Sequence, residues 1–368
     1  MKATCLVLKL GVLLLLFITP ACKKAEIAKP VQNSKADIET LVNPDQILVH
    51  AGSTPGFADG PALQAQFSRP TFLSAGPDKS LYVYDSELPS LSIRKISCSG
   101  MVITFYRFTE RERIAGMTVD KNGCVYISQG YQIKKISADG KTIKVVAGSG
   151  EIPGPRKDGP ALQATFAEPA GLAINKDGCL FILDSRYNII RKLSNNIITV
   201  VAGGIEFPRP ISDKLPRDGV GTDAEFDNPR YLSIDNDDNL YVTGGYYALI
   251  KKVTPKGVVT TIAVIDYGFD TDYLSVITQT TVDQSGNLYG CWNWAVGFKE
   301  QYAFTIFKWT TNGVYQETLA SNSYQKQDQD DPFVPADGLI FPTGFVAVND
   351  TLYFSNTREH KIRKIALK

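Results

Sequence analysis

One stretch of the chain, residues 171–203, reads GLAINKDGCLFILDSRYNIIRKLSNNIITVVAG. It contains four short apolar runs, which begin near Leu172, Leu180, Ile190 and Thr199. The Asn and Gly residues between these runs tolerate the positive φ that tight hairpin turns require. The stretch therefore predicts an antiparallel sheet of four strands.

The same pattern recurs along the chain, and each copy has an aromatic residue at the second position of its second strand. These residues are Tyr82, Tyr126, Phe181, Tyr241, Tyr289 and Tyr353. Their spacings run from 44 to 64 residues, which is typical of the blades of a β-propeller. The sequence thus predicts an all-β fold, a six-bladed β-propeller.

The two ends of the repeat region predict how the ring closes. A complete copy ends in a fourth strand such as residues 199–203, but the sixth copy stops after its third strand, residues 362–365. The missing strand stands at the other end, as residues 47–52. We expect this N-terminal strand to complete the last blade, which removes an open sheet edge. If Ile190 faces Val201 in the third blade, then by analogy Ile362 faces His50.

These repeats resemble the NHL-repeat family of six-bladed propellers over about residues 47–368. A further element of that family, D-G-x-x-x-x-A-x-F-x-x-P, begins at Asp59, Asp158 and Asp218. The resemblance implies the fold but no single activity, because such propellers serve as enzymes, sensors and binding platforms. Asp85 and Asp184 match the Asp that follows the second strand in the family, and we expect them to accept backbone N–H bonds in their loops.

The first 21 residues resemble a bacterial lipoprotein signal peptide. Lys2 and Lys9 flank an apolar run, residues 10–18, that is too short to span a membrane as a helix. Small residues then precede Cys22, whose lipidation would anchor the chain stably. The alternative is ordinary signal cleavage with Cys22 as a bystander.

Residues 22–44 show little hydrophobic periodicity and predict a flexible tether, which is followed by the propeller at residues 45–368. Residues 22–26, CKKAE, resemble the surface-export signal of some Gram-negative lipoproteins. We therefore expect an extracytoplasmic protein, attached to the outer membrane by its lipid alone and exposed at the cell surface.

Charge and composition narrow the range of partners. The net charge is +1 without basic or acidic runs, so we expect no nucleic-acid partner. Only two histidines occur, and the cysteines lack the spacing of a metal cluster, so we expect no metal and no other cofactor. A disulfide remains open among Cys98, Cys124, Cys179 and Cys291. We expect a monomer.

The candidate ligand site lies on the face where blade-joining loops and second-to-third-strand loops emerge around the channel. The candidate ligand-binding residues are Arg186, Tyr187, Arg230, Tyr246, Tyr247, Trp292 and Trp294. Exposed aromatics beside Arg would suit stacking on sugar rings or gripping a protein partner. The alternative is that these aromatics pack the loops themselves.

Two functions are therefore considered, and no catalytic residue is assigned. The first is a non-enzymatic recognition protein that binds an extracellular glycan, a peptide or a surface protein complex on this face. The second is a metal-assisted lyase or hydrolase, resembling the lactonases, with its site at the channel mouth.

Overall fold

The structure, a computed structural model, describes residues 47–88, 91–109, 113–151, 155–204, 215–245, 248–264, 273–296, 301–325 and 342–367. The predicted signal peptide at residues 1–21 and the predicted tether at residues 22–44, with Cys22, lie outside these residues. The described residues form six antiparallel sheets, so the expected six-bladed propeller is confirmed.

The strands follow in chain order, with the first completing the last blade. Strand β1 is Ile47–Ala51. Blade 1 contains β2 (Gly60–Pro61), β3 (Pro70–Ala75), β4 (Leu81–Asp85), β5 (Ser92–Ile96) and β6 (Met101–Arg107). Blade 2 contains β7 (Ile114–Val119), β8 (Val125–Gln129), β9 (Gln132–Ile136) and β10 (Ile143–Ala147). Blade 3 contains β11 (Gly159–Pro160), β12 (Pro169–Ile174), β13 (Leu180–Asp184), β14 (Ile189–Ser194) and β15 (Ile197–Gly203).

The second half of the ring is built in the same way. Blade 4 contains β16 (Gly219–Val220), β17 (Pro229–Ile234), β18 (Leu240–Gly244), β19 (Leu249–Val253) and β20 (Val258–Val264). Blade 5 contains β21 (Tyr273–Ile277), β22 (Thr281–Val282), β23 (Asn287–Val296), β24 (Gln301–Thr310) and β25 (Tyr315–Gln325). Blade 6 contains β26 (Pro342–Val348), β27 (Thr351–Asn356) and β28 (Lys361–Ala366), with β1 as its fourth strand. Short 3₁₀ turns occur at Ala161–Gln163 and Gly221–Asp223.

The closure of the ring is confirmed, but its register differs from the prediction. Strand β1 pairs antiparallel with β28, and Ile47 lies opposite Ile365. Ile362 lies opposite Ala51 rather than His50, because a β-bulge inserts one extra residue in β1. Blade 3 has the same bulge, so Ile190 faces Ala202 rather than Val201.

The bulge recurs in the outer strand of every blade. The residue left without a partner is His50, Phe105, Val146, Val201, Ile262 or Leu319. A bulge bends its strand and increases the local twist. It therefore contributes to the twist that each blade has between the channel and the rim.

Six hydrophobic clusters hold neighbouring blades together, because alternate side chains of each strand point to the two faces of its sheet. The cluster between blades 3 and 4, for example, joins Phe181 and Leu183 to Leu232 and Val242. Similar clusters lie at the other five junctions, including the junction of blade 6 with blade 1. Each blade is thus buried on both faces.

Buried cations attach the blade-joining segments to the third strands. Arg94 of β5 is paired with Asp59 at 2.6 Å, and Arg191 of β14 with Asp158 at 2.6 Å. In blade 4 the cation is Lys251, whose Nζ lies 2.7 Å from Asp218. The Asp of each family-like Asp-Gly segment therefore forms an ion pair with a cation that is wholly buried.

Blade 5 departs from the others by the length of its strands. Strands β23, β24 and β25 have 10, 10 and 11 residues, whereas β12 to β15 of blade 3 have 5 to 7. The extra length lies at the end where β23 turns into β24, which is the face of the second-to-third-strand loops. Blade 5 therefore projects beyond this face as a wall.

Four cysteines lie in the described part of the chain. Cys98, Cys124, Cys179 and Cys291 are all free thiols, so the disulfide left open by the sequence does not form among them. Within the described ranges, none of the helical segments has the length and apolar character needed to cross a bilayer.

Candidate functional site

The face that carries the second-to-third-strand loops is called the loop face below. At this face the second strands of blades 1 and 3 end in buried carboxylates. Asp85 accepts the N–H of Ser68 at 2.6 Å, and Asp184 accepts the N–H groups of Ala167 and Glu168 at 3.1 and 2.9 Å. The predicted structural role of both Asp residues is confirmed.

The electrostatics of these carboxylates depend on burial. Burial raises the pKa of Asp85 to about 7, although the N–H of Ser68 and the Arg94 guanidinium, 3.5 Å away, favour the ionised form. Asp59 shares the same guanidinium and is more exposed; the Thr104 N–H and Arg94 outweigh its partial burial and lower its pKa. Burial likewise raises the pKa of Asp184. Each pair of carboxylates thus shares one buried cation, an arrangement that serves the loop structure.

The predicted aromatic residues do not form an exposed sector in the part of the chain that the structure describes. Tyr187 is 6% exposed and packs with Ala167 and Ile189. Trp292 is also 6% exposed and packs in the cluster between blades 4 and 5. Tyr246, Tyr247 and the side chain of Trp294 lie outside the described part. The two aromatic side chains that can be located therefore pack the protein, as the alternative interpretation supposed.

The two predicted arginines lie at the surface. Arg186 is exposed in the loop between β13 and β14. The Nη1 atom of Arg230 lies 2.5 Å from the Oε1 atom of Glu168, and the two side chains are 43% and 45% exposed. This pair links blade 3 to blade 4 at the start of their inner strands. It presents both a donor and an acceptor to solvent beside the channel.

A cavity of about 200 Å³ lies at the mouth of the channel on the loop face. Its wall includes Phe72 and Tyr84 of blade 1, Arg113 beside blade 2, Tyr231 of blade 4 and Thr343 of blade 6. It is called the mouth cavity below. Sequence reasoning did not find it, because these residues lie on or beside strands rather than at the centres of loops.

One signal in the sequence could have revealed the aromatic side chains that line the mouth cavity. Phe72 and Tyr231 occupy the third position of their inner strands, two residues after Pro70 and Pro229. The corresponding residues of blades 2, 3 and 6 are Gly116, Gly171 and Gly344. A Cβ atom at Gly116 or Gly344 would collide with a backbone oxygen of the next inner strand. An alignment of the six inner strands would have singled out the two aromatic exceptions.

The opposite end of the channel holds a second cavity, of about 260 Å³, between first-to-second-strand turns. Asp235 and Asp283 contribute to it, but each carboxylate is saturated by its own turn. Asp235 accepts the N–H groups of Asp237 and Asn239 at 2.9 and 2.8 Å, and Asp283 makes the equivalent bonds. These residues are turn formers. Among the described residues, no three His, Cys, Asp or Glu side chains are grouped so that they could hold a metal ion.

Comparison with known proteins supports the NHL repeat. The family model of the teneurin NHL domain matches residues 49–212. NHL repeat-containing protein 2 of Bos taurus is 34% identical over 100 residues, which are 26% of this chain and 14% of that protein. The chloroplastic protein SUPPRESSOR OF QUENCHING 1 of Arabidopsis thaliana is 28% identical over 194 residues, 45% of this chain and 18% of that protein. The chain thus spans less than a fifth of the length of either relative.

Among solved structures, a gluconolactonase from Xanthomonas campestris is similar, with a TM-score of 0.51 and 13% identity. The match covers 88% of this chain and 89% of that protein. At this identity the similarity extends to the fold and not to the activity. The six described blades show that the chain is a six-bladed β-propeller, and its repeats are similar to those of the teneurin NHL domain and of NHL repeat-containing protein 2.

Proposed function

We propose that the protein is a membrane-anchored extracytoplasmic recognition protein, which binds a glycan, a peptide or a protein partner on the loop face of its propeller. The anchor is the lipid on Cys22, and the tether at residues 22–44 gives the propeller freedom to meet its partner. Binding, rather than catalysis, is the role of the loop face.

The observation that carries this proposal is the wall formed by blade 5. Trp292 of β23 occupies the position at which β4 ends in Asp85, yet β23 runs on to Val296. Four further residues add about 13 Å at the usual rise of a strand. The part of blade 5 that projects beyond the loop face therefore gives a partner a second surface, beside the channel mouth and at an angle to the loop face. A concave surface of that kind buries more of a partner than a flat disc does.

The arginines give this surface polar groups. Arg230 and Glu168 are half-exposed and already held in one geometry by their ion pair, so a partner can bind them with little further loss of side-chain freedom. Arg186 follows Ser185, whose N–H donates to the carbonyl of Glu168 and whose hydroxyl donates to the carbonyl of Pro229. Arginine is common among the residues that dominate binding energy in interfaces.

A binding array tests the proposal. The full-length chain, purified in mild detergent, is applied to arrays of bacterial and host glycans and of peptides. We expect selective binding that falls at least tenfold in Arg230→Ala and is unchanged in Lys176→Ala, which alters an exposed lysine at the opposite face. Array binding that is equal in all three proteins would contradict a loop-face site.

The anchor and the enzyme alternative are tested separately. Cys22→Ser should move the protein from the membrane fraction to the soluble fraction, whereas Cys98→Ser, which alters an exposed thiol of the propeller, should leave it at the membrane. Elemental analysis of the purified chain tests the enzyme alternative. A stoichiometric metal that is lost on mutation of a carboxylate at the channel mouth would favour a metal-assisted lyase or hydrolase over a recognition protein.

A further inference from the structure

The mouth cavity differs from the rest of the channel by the two aromatic side chains that inner strands contribute to it. Blades 1 and 4 lie opposite each other in a ring of six, and each contributes an aromatic side chain, Phe72 and Tyr231, to the same cavity. Phe72 packs against Tyr84, which also lines the cavity; their rings are stacked with centroids 6.2 Å apart and an angle of 28°. The cavity is therefore lined by aromatic side chains from two opposite blades, and one of these, Phe72, is held by a second ring.

The polar groups of this cavity fall into two classes. Ser86 and Thr343 are committed to the protein, because Ser86 Oγ donates to the carbonyl of Arg69 at 2.7 Å and Thr343 Oγ1 lies 2.9 Å from the hydroxyls of Ser355 and Thr357. Thr71 Oγ1 is buried and has no hydrogen-bond partner among the described residues. A buried hydroxyl without a partner costs about 1–3 kcal/mol, so its retention indicates a partner from outside the chain.

Tyr84 adds a second buried hydroxyl at the border of the same cavity. Its hydroxyl is buried, and within the described chain its proton has no acceptor. Burial raises the pKa of Tyr84, although the N–H of Ile114 and the charge of Arg113 act in the opposite direction. The hydroxyl therefore stays protonated at neutral pH and remains a donor.

Arg113 supplies a positive charge to the mouth cavity. It is exposed at the start of β7 and lines the cavity. Arg230 is neutralised by Glu168, whereas no carboxylate among the described residues forms an ion pair with Arg113. A guanidinium in this state favours a carboxylate, which it can bind through two parallel hydrogen bonds.

We propose that the mouth cavity binds a single sugar ring that carries a carboxylate, that is, a uronic acid residue of a glycan. Arg113 binds the carboxylate, the hydroxyls of Thr71 and Tyr84 bind ring hydroxyls, and Phe72 and Tyr231 pack on the two faces of the ring. This inference rests on the proposed recognition function and names the ligand class within it. A cavity of about 200 Å³ is smaller than the sites that hold drug-sized ligands, which suits one ring rather than a chain.

Titration calorimetry of the full-length chain in mild detergent tests the proposal with three probes: glucuronate, glucose and cyclohexanecarboxylate. We expect glucuronate to bind in the millimolar range, and glucose and cyclohexanecarboxylate at least tenfold more weakly. Arg113→Gln should abolish the preference for glucuronate over glucose, and Phe72→Leu should weaken glucuronate binding at least fivefold. Lys176→Ala should bind like the unchanged chain, and thermal melts of all variants establish that they are folded.

Each other outcome overturns the proposal. Equal affinity for glucose and glucuronate, or a preference that survives Arg113→Gln, excludes the carboxylate contact. Equal affinity for cyclohexanecarboxylate excludes the sugar, and no heat with 50 mM glucuronate excludes the site. Array binding that persists without glucuronate affinity would refute this inference alone, whereas glucuronate affinity with an empty array would refute the wider proposed function.

Discussion

Trp292 of blade 5 stands at the position that Asp85 holds in blade 1. The registers establish the equivalence: Val83 lies opposite Arg94 in blade 1, and Gly290 lies opposite Phe307 in blade 5. Both members of the buried ion pair of blade 1 are thus aromatic in blade 5. The same sheet geometry is compatible with a buried charge pair or with an apolar pair, as expected where the desolvation of two charges offsets their attraction.

The first prediction concerns removal of one partner of such a pair. Arg191→Met should lower the free energy of unfolding by about 3–5 kcal/mol, because it leaves the buried Asp184 without its cation. Adding Asp184→Asn to this variant should restore only about 1 kcal/mol, since the remaining group is no longer charged but its amide nitrogen cannot accept the N–H of Ala167 or of Glu168. Urea denaturation followed by circular dichroism measures both values. Arg186→Ala, an exposed change in the same blade, is the control, and an equal loss in that variant would contradict the argument.

The second prediction is a pH dependence at Asp85. Its pKa is about 7 in the folded protein, against an ordinary value of 3.8. Between pH 4 and 7 the folded chain therefore keeps a proton that the unfolded chain has released, so this group makes stability fall as pH rises through that range. Asp85→Asn resembles the protonated form. The free energy of unfolding of Asp85→Asn minus that of the unchanged chain should rise by on the order of 2–4 kcal/mol between pH 4.5 and pH 7.5. Denaturation at the two pH values provides the measurement, and a constant difference would show that Asp85 is ionised throughout.

The fold could be predicted from the sequence because its signals repeat. The aromatic residue of each second strand recurs six times, and the missing fourth strand of the last copy appears at the other end of the repeat region. The bulges could not be predicted, since the extra residue is His50 in one blade and Phe105 or Leu319 in others. A bulge is selected by backbone twist and not by one type of side chain.

The candidate site was harder to predict than the fold. We expected Trp292 and Tyr187 to be exposed because the sequence places both in second-to-third-strand loops, but tertiary packing buries both. Phe72 and Tyr231 belong to inner strands, where an apolar residue is ordinarily part of the core. Only the glycines at the same position of other blades mark them as exceptions.

The third prediction follows from the bulge residue of β1. His50 is partly buried against the ring of Tyr353, with centroids 4.7 Å apart, and burial together with the charge of Lys364 lowers its pKa to about 4. Between pH 4 and 6.5 the unfolded chain binds a proton at this residue and the folded chain does not. The free energy of unfolding therefore decreases as pH falls through this range. His50→Gln should reduce this acid sensitivity by about 1–2 kcal/mol, allowing for partial exposure to solvent. Thermal melts at pH 4.5 and 7 give the comparison, and an undiminished difference between them would contradict it.

The last prediction tests the closure of the ring with two variants of the same strand. Ala51 is fully buried between blades 6 and 1, whereas Leu48 is 53% exposed three residues earlier. Ala51→Glu would bury an unpaired charge in that junction and should lower the free energy of unfolding by at least about 3 kcal/mol. Leu48→Glu should change it by less than about 0.5 kcal/mol, because the side chain faces solvent. Hydrogen exchange of the β28 amides locates the effect: Ala51→Glu should expose them by releasing β1, and Leu48→Glu should not. If both variants left β28 protected, β1 would not be the strand that closes the propeller.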